Sequence, residues 1–111
     1  MSMSLADYQK RASKTAIYKE EHTLIYPALG LTGEAGEIAN KVKKILRDDY
    51  DPVELGWKKQ ELSKEIGDVL WYCSALATDL GFSLSDIAQA NLNKLQDRAN
   101  RGKITGDGDN R

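Results

Sequence analysis

The chain has 111 residues, 41% of them hydrophobic and 30% charged, a composition that suits one globular domain with a single modest core. Its formal net charge of −1 removes any global electrostatic case for nucleic-acid binding, which draws on a basic surface. A single cysteine, Cys73, rules out an intrachain disulfide, and a single histidine, His22, leaves too few soft ligands for a zinc site.

The opening Met1-Ser2-Met3-Ser4-Leu5 runs directly into polar sequence, which is not the pattern of a secretory signal. No apolar run approaches the ~18–20 residues of a membrane span, so no membrane partner is expected and the expected location is cytoplasmic. Strand signals are scarce, while helical periodicity occurs four times. A first helix is predicted from about Ser4 to Glu21, with a thin face of Leu5, Tyr8, Ala12 and Ala16. A second is predicted from near Pro27, a favoured first-turn residue, to about Arg47. Its stripe is Leu31, Ile38, Val42 and Ile45. Gly33 and Gly36 lie inside it, each costing about 1 kcal/mol relative to alanine, which suggests close approach of a neighbouring helix or a ligand at these positions.

Asp48-Asp49-Tyr50-Asp51-Pro52 reads as a connection, with Asp51 capping a third helix that starts at Pro52, or near Trp57, and ends at Leu80 before Gly81. Leu62, Ile66, Val69, Cys73, Leu76 and Leu80 recur at threes and fours, and Cys73 reads as a small buried hydrophobe. Ser83 and Asp86 resemble a capping box for a fourth helix to about Asn100, with Leu84, Ile87, Leu92 and Leu95 inward. The expected organisation is one all-α domain over residues 1–101, a small four-helix bundle, and a Gly- and Asp-rich tail over residues 102–111. Four thin amphipathic helices leave apolar surface over. Completion by a homodimer or homotetramer is therefore expected, with Leu24, Ile25, Tyr26 and Trp57 as interface candidates.

Two acid pairs carry the chemistry. Glu34 and Glu37 are three apart on the second helix, Glu65 and Asp68 three apart on the third, so each pair shares a face. Both pairs border their helix's apolar stripe rather than the solvated side, and antiparallel packing would bring the four together. Such a concentration of like charge is resolved by a hard divalent cation, Mg²⁺ or Mn²⁺. The Glu-x-x-His pairs of ferritin-like iron sites are missing.

Gly33-Glu34-Ala35-Gly36-Glu37, followed by Lys64-Glu65-Ile66-Gly67-Asp68-Val69-Leu70-Trp71-Tyr72, resembles the MazG-type nucleotide pyrophosphohydrolases of the all-α nucleotide pyrophosphatase superfamily. The likeness extends to Asn91–Arg98 and to Gly106–Arg111. It implies that Glu34, Glu37, Glu65 and Asp68 ligate metal, and that Asn91 and Lys94 approach the nucleotide and its phosphates. It also implies Mg²⁺-dependent cleavage of a nucleoside triphosphate to monophosphate and diphosphate, for nucleotide-pool control or house-cleaning. Many relatives carry a further glutamate before the first ligand. Here that position is Gly33, which leaves one ion or two open.

In this reading Glu37 orients or deprotonates the attacking water, and Lys94 stabilises charge on the phosphate oxygens. Lys41 lies nearest the acids within a basic cluster that otherwise reads as surface. Trp71 either stacks on a base or packs in the core or an interface. Arg98 is either a phosphate clamp or a helix-end charge, and Arg111 either closes over a site or belongs to a loose tail. The competing function is a non-catalytic helical module whose acids bind a structural cation or a basic partner.

Overall fold

Four α-helices and one short 3₁₀ turn make up the fold, in the order α1 (Leu5–Ser13), the 3₁₀ turn (Glu20–His22), α2 (Ile25–Arg47), α3 (Pro52–Leu80) and α4 (Leu84–Asn100). The computed structural model describes residues 2–48 and 51–111. Met1, at the start of the expected non-signal segment, and Asp49 and Tyr50, in the expected connection, lie outside the described residues. There is no strand among the described residues, and no helix there is long and apolar enough to cross a membrane.

The predicted caps form largely as expected. Asp51 accepts the Val53 N–H at 2.9 Å with Pro52 in the first turn of α3. Gly81 closes α3 in the left-handed region, φ 81°, while the Phe82 N–H reaches back to the Ala77 carbonyl at 2.9 Å. Ser83 accepts from the Asp86 N–H at 3.3 Å. A full capping box starts α1, with Ser4 and Asp7 bonding each other's backbone at 3.0 and 3.4 Å.

The first helix is shorter than the periodicity predicts. It ends at Ser13 rather than near Glu21, because the residues beyond it are claimed by other partners. The Ser13 and Thr15 hydroxyls donate to the Lys10 and Ala12 carbonyls, both at 2.7 Å. Thr15 also accepts from the Trp71 indole at 2.7 Å. Tyr18 donates to Asp79 of α3 at 2.7 Å and stacks on Tyr26, with ring centroids 4.9 Å apart. Burial first, then the hydrogen bond to Asp79 and its charge, push the Tyr18 phenol up to about 12.

The same Asp79 oxygen accepts the Leu24 N–H at 3.0 Å. Leu24 sits at φ 70°, a conformation costly for a γ-branched side chain, and α2 begins immediately after it. Pro27 in the first turn of α2 is fully buried. Gln9 of α1 ties down the α3–α4 corner. It donates to Thr78 and to the Phe82 carbonyl, both at 3.0 Å, and accepts the Leu84 N–H at 2.8 Å.

α2 and α3 form the most extensive pairing. They run antiparallel, with Lys41 beside Glu61 and Glu65, and Glu34 beside Asp68. Close approach occurs at Gly30 rather than at the expected Gly33 and Gly36. A Cβ on Gly30 would lie 2.1 Å from the Tyr72 ring, whereas one on Gly33 or Gly36 would meet nothing within 4 Å.

The helices leave much of their apolar stripes uncovered. Leu29, Leu46, Val53, Trp57 and Ile66 are each at least 60% exposed, and the fully buried apolar side chains are small in number. The Cα radius of gyration is 17.1 Å, against about 13 Å for a compact chain near this length.

Gly30→Ala tests the α2–α3 approach. Overpacking against Tyr72 costs about 1–3 kcal/mol, offset by up to ~1 kcal/mol of helix propensity. The urea midpoint should therefore fall. Gly56→Ala, where a Cβ meets nothing within 4 Å, should raise it instead. Equal midpoints for the two variants would show that Tyr72 does not set this spacing.

Candidate metal centre

Two facing helices build the centre. Glu34 projects from α2 one turn after Gly30, and Glu65 and Asp68 project from consecutive turns of α3. One carboxylate oxygen from each of Glu34, Glu65 and Asp68 lies within 4.8 Å of the others. Glu34 and Glu65 are half-buried and Asp68 is exposed, so the group opens to solvent on one side.

Charge is unevenly shared across the group. Glu65 Oε1 forms an ion pair with Lys41 Nζ at 3.1 Å, while Glu65 Oε2 is buried with no hydrogen-bond partner. The Lys41 hydrogen bond is the main reason the Glu65 carboxyl lies below the usual glutamate range, with Glu34 second. Glu34 moves the other way. Its hydrogen bond with Glu65, then burial, then the Asp68 charge hold its carboxyl above that range.

These groups fit a hard divalent cation. Ligand oxygens at about 2.1 Å from a shared Mg²⁺ lie ~3–4.2 Å apart in octahedral geometry, so the observed spacing needs only small side-chain rotations. The orphaned Glu65 oxygen supplies the acceptor such an ion would use, and an all-oxygen donor set suits Mg²⁺ or Mn²⁺ over softer metals.

The structure thus brings together three of the four predicted ligands. Glu37 is exposed and stands outside the group, though its charge is felt by Glu34 and Lys41. Lys41, half-buried, meets the acids directly, with Glu61 at 3.9 Å on its other side. Trp71 is held by Thr15 and sits edge-on to Tyr72, with centroids 5.0 Å apart. Trp71 lines both a cavity of about 250 Å³ shared with Tyr18 and Asp79 and an open cleft of about 390 Å³ shared with Tyr8 and Arg11. The Tyr8 phenol is pushed up by burial and then by the Asp68 charge, so this cleft lies within the field of the acid centre.

The fourth-helix residues are arranged around the tail. Asn91 is exposed. Lys94 Nζ lies 2.7 Å from Asp109 Oδ1, and Arg98, only 5% exposed, donates to the Asp109 carbonyl at 2.6 Å. No ion pair joins Lys94 to the acid centre among the described residues. The Arg111 guanidinium turns back onto the carbonyls of Lys103, Ile104 and Gly108. The Gly- and Asp-rich tail is a loop that folds against α4. Sequence reasoning missed Asp79 and Asp109. An acid following a Lys-x-x-x-Arg helical face by one short glycine-rich loop was the available signal for Asp109; nothing local marked Asp79.

The MazG nucleotide pyrophosphohydrolase domain matches residues 21–102. The chain is 53% identical to Gene 37 protein of Mycobacterium phage L5 over 110 residues, covering 94% of this chain and 96% of the phage protein. It is 42% identical to Uncharacterized protein YvdC of Bacillus subtilis (strain 168) over 72 residues, 61% of this chain and 68% of that protein. No solved structure matches.

The raised Glu34 carboxyl makes the metal-free centre pH-sensitive. A folded value above the unfolded one gives stability that is present below the ordinary glutamate range and is lost as pH rises through the raised value. Glu34→Gln should therefore raise the melting temperature of the EDTA-treated protein near neutral pH and leave it little changed in acid. The same variant should weaken Mg²⁺ binding by roughly 10–100-fold, as perturbation of a metal site commonly does. Parental Mg²⁺ affinity in Glu34→Gln would remove Glu34 from the centre.

Proposed function

The chain belongs to the MazG nucleotide pyrophosphohydrolase family, and on that premise we propose that it cleaves nucleoside triphosphates to monophosphate and diphosphate, using Mg²⁺ or Mn²⁺, in the control or cleaning of the cytoplasmic nucleotide pool. The observation that carries this reading is the convergence of one carboxylate oxygen each from Glu34, Glu65 and Asp68 to within 4.8 Å of one another.

Each side chain has a defined task in this reaction. Glu34, Glu65 and Asp68 would hold the metal, which would supply neutralisation of the triphosphate charge and polarisation at phosphorus. Glu37, one turn beyond Glu34 and exposed, ligates from the solvent side or accepts the proton of the attacking water. Lys41, paired with Glu65 at the edge of the acids, would donate hydrogen bonds to a phosphate oxygen. Lys94 and Arg98 take charge developing on the phosphate oxygens, and Asn91 contacts the nucleotide nearby. Trp71 offers its face to the base in the cleft shared with Tyr8. Arg111 acts through the tail it pins.

A second copy of the chain completes this reading. The exposed Leu29, Leu46, Val53 and Ile66, together with Ile25 and Trp57, leave more apolar surface than a stable monomer usually shows. A homodimer or homotetramer covers it. Light scattering at micromolar concentration should report at least twice the chain mass, and a monomeric mass would count against the assembly.

Incubation with Mg²⁺ and a panel of canonical and modified triphosphates should yield monophosphate and diphosphate in equal amounts. Asp68→Asn keeps an oxygen ligand but loses a charge. It should lower kcat by at least about 100-fold, or ~2.7 kcal/mol of transition-state stabilisation, and weaken Mg²⁺ binding. Lys94→Ala should raise KM or lower kcat while Mg²⁺ affinity holds. An Asp68→Asn protein with parental turnover and Mg²⁺ affinity would sink the assignment, and a metal-binding parent inert toward every triphosphate would point to the non-catalytic module.

A further inference from the structure

We propose that Lys94 and Arg98 form one anion seat on α4, and that Asp109 of the tail fills it until a phosphate group displaces it, making residues 102–111 an internal competitor of the substrate. This inference rests on the phosphate role given above to Lys94 and Arg98.

The seat is built rather than incidental. Arg98 is the one charged side chain buried among the described residues, at 5% exposure. Burying a guanidinium demands acceptors. Its Nη2 alone is served by the tail, through the Asp109 carbonyl at 2.6 Å and Oδ1 at 3.3 Å, while Nε is buried with no partner. Lys94 Nζ reaches the same Oδ1 at 2.7 Å. Two cations thus converge on one carboxylate oxygen, and one positive charge is left over.

A carboxylate is the poorer occupant of such a seat. A phosphate group carries more charge and enough oxygens to engage the Nε–Nη2 fork of Arg98 in parallel while still meeting Lys94. Asp109 is 80% exposed at its side chain, so water screens its hold. Its carboxyl is held below the ordinary range by the Lys94 hydrogen bond first, so at neutral pH it sits there as an anion.

The tail is shaped to arrive and leave as a unit. Gly102, Gly106 and Gly108 adopt φ values of 67°, 121° and 83°, conformations that glycine takes without strain. The Arg111 guanidinium knits the loop internally through the Lys103, Ile104 and Gly108 carbonyls. Both ends of the loop are tied to the end of α4, by the Lys103 N–H to the Arg98 carbonyl at 2.7 Å and by Arg101 to the Arg111 carbonyl at 2.6 Å. Lifting Asp109 off the seat therefore leaves the loop's own bonding in place.

The test uses inorganic pyrophosphate as probe, by calorimetry in metal-free buffer, on the full chain and on Asp109→Asn. The variant keeps the side-chain shape and removes the competing charge. Its affinity should rise about 3- to 5-fold, the scale of one exposed ion pair, and KM for a nucleoside triphosphate should fall by the same factor with kcat retained. A chain ending at Lys103 should repeat the gain by an independent route, and Lys94→Ala should abolish the gain of Asp109→Asn. Unchanged or weaker pyrophosphate binding in both Asp109→Asn and the shortened chain would overturn the proposal and make Asp109 a brace for Lys94 and Arg98. The hydrolase reading fails separately: a parent that releases no diphosphate from any triphosphate contradicts it whatever the calorimetry reports.

Discussion

Mutual repulsion of the Glu34, Glu65 and Asp68 carboxylates works against the pairing of α2 with α3, the pairing on which the rest of the chain hangs. Several features answer it. Lys41 lends a positive charge to Glu65, and Glu34 retains its proton more tightly than an isolated glutamate. Toward the start of α2, contact replaces charge. Gly30 admits the Tyr72 ring against the α2 backbone, and the Tyr18–Tyr26–Tyr72 rings pack on one another. The helices are thus gripped on one side of the acids by aromatic packing and on the other by Lys41 with Glu61 and Glu65. The repulsion itself stays in place for a cation to relieve.

Much of this was legible in the sequence because it depends on neighbours in the chain. The Asp51 and Ser83 caps, the Gly81 stop, and the extents of α3 and α4 follow from local rules. The acid pairs were found by their i, i+3 spacing, since helical geometry alone places them on one face. The features that escaped depend on distant partners. The end of α1 is decided by Asp79 and Trp71, which claim Tyr18 and Thr15. Gly30 matters through a tyrosine on another helix, whereas Gly33 and Gly36, more conspicuous beside the acids, touch nothing within the chain. Glu37 has the same spacing from Glu34 as Asp68 has from Glu65, yet it stands exposed and outside the group. The Gly- and Asp-rich tail meets two basic residues on α4, a partnership that its glycine content does not announce.

The open packing bears on how the family fold is used. Short side chains such as Ser74, Ala75 and Ala77 supply much of the buried set, so α3 packs closely where it meets the remaining helices but contributes little apolar area there. Large residues such as Leu29, Leu46 and Trp57 are carried on the outside. A single chain therefore buries less apolar surface than its composition allows, and stability at about 25 cal/mol per Å² of apolar area is left to be gained by association.

The strained start of α2 has a mechanical meaning. A helix is a screw, and the place where its thread begins fixes the direction of every later side chain. Leu24, held at φ 70° by the Asp79 carboxylate, is that starting point. Asp79 belongs to the same helix as Asp68, and the run from Leu24 to Glu34 along α2 is roughly 15 Å, against about 16 Å from Asp79 back to Asp68 along α3, at 1.5 Å per residue. The two helices are indexed against each other at one pin, and the acids meet a nearly equal distance along both threads. Inserting or deleting one residue between Leu24 and Glu34 would turn Glu34 by about 100° and swing it out of register with Asp68. Length in this segment is therefore more tightly constrained than the identity of most side chains within it.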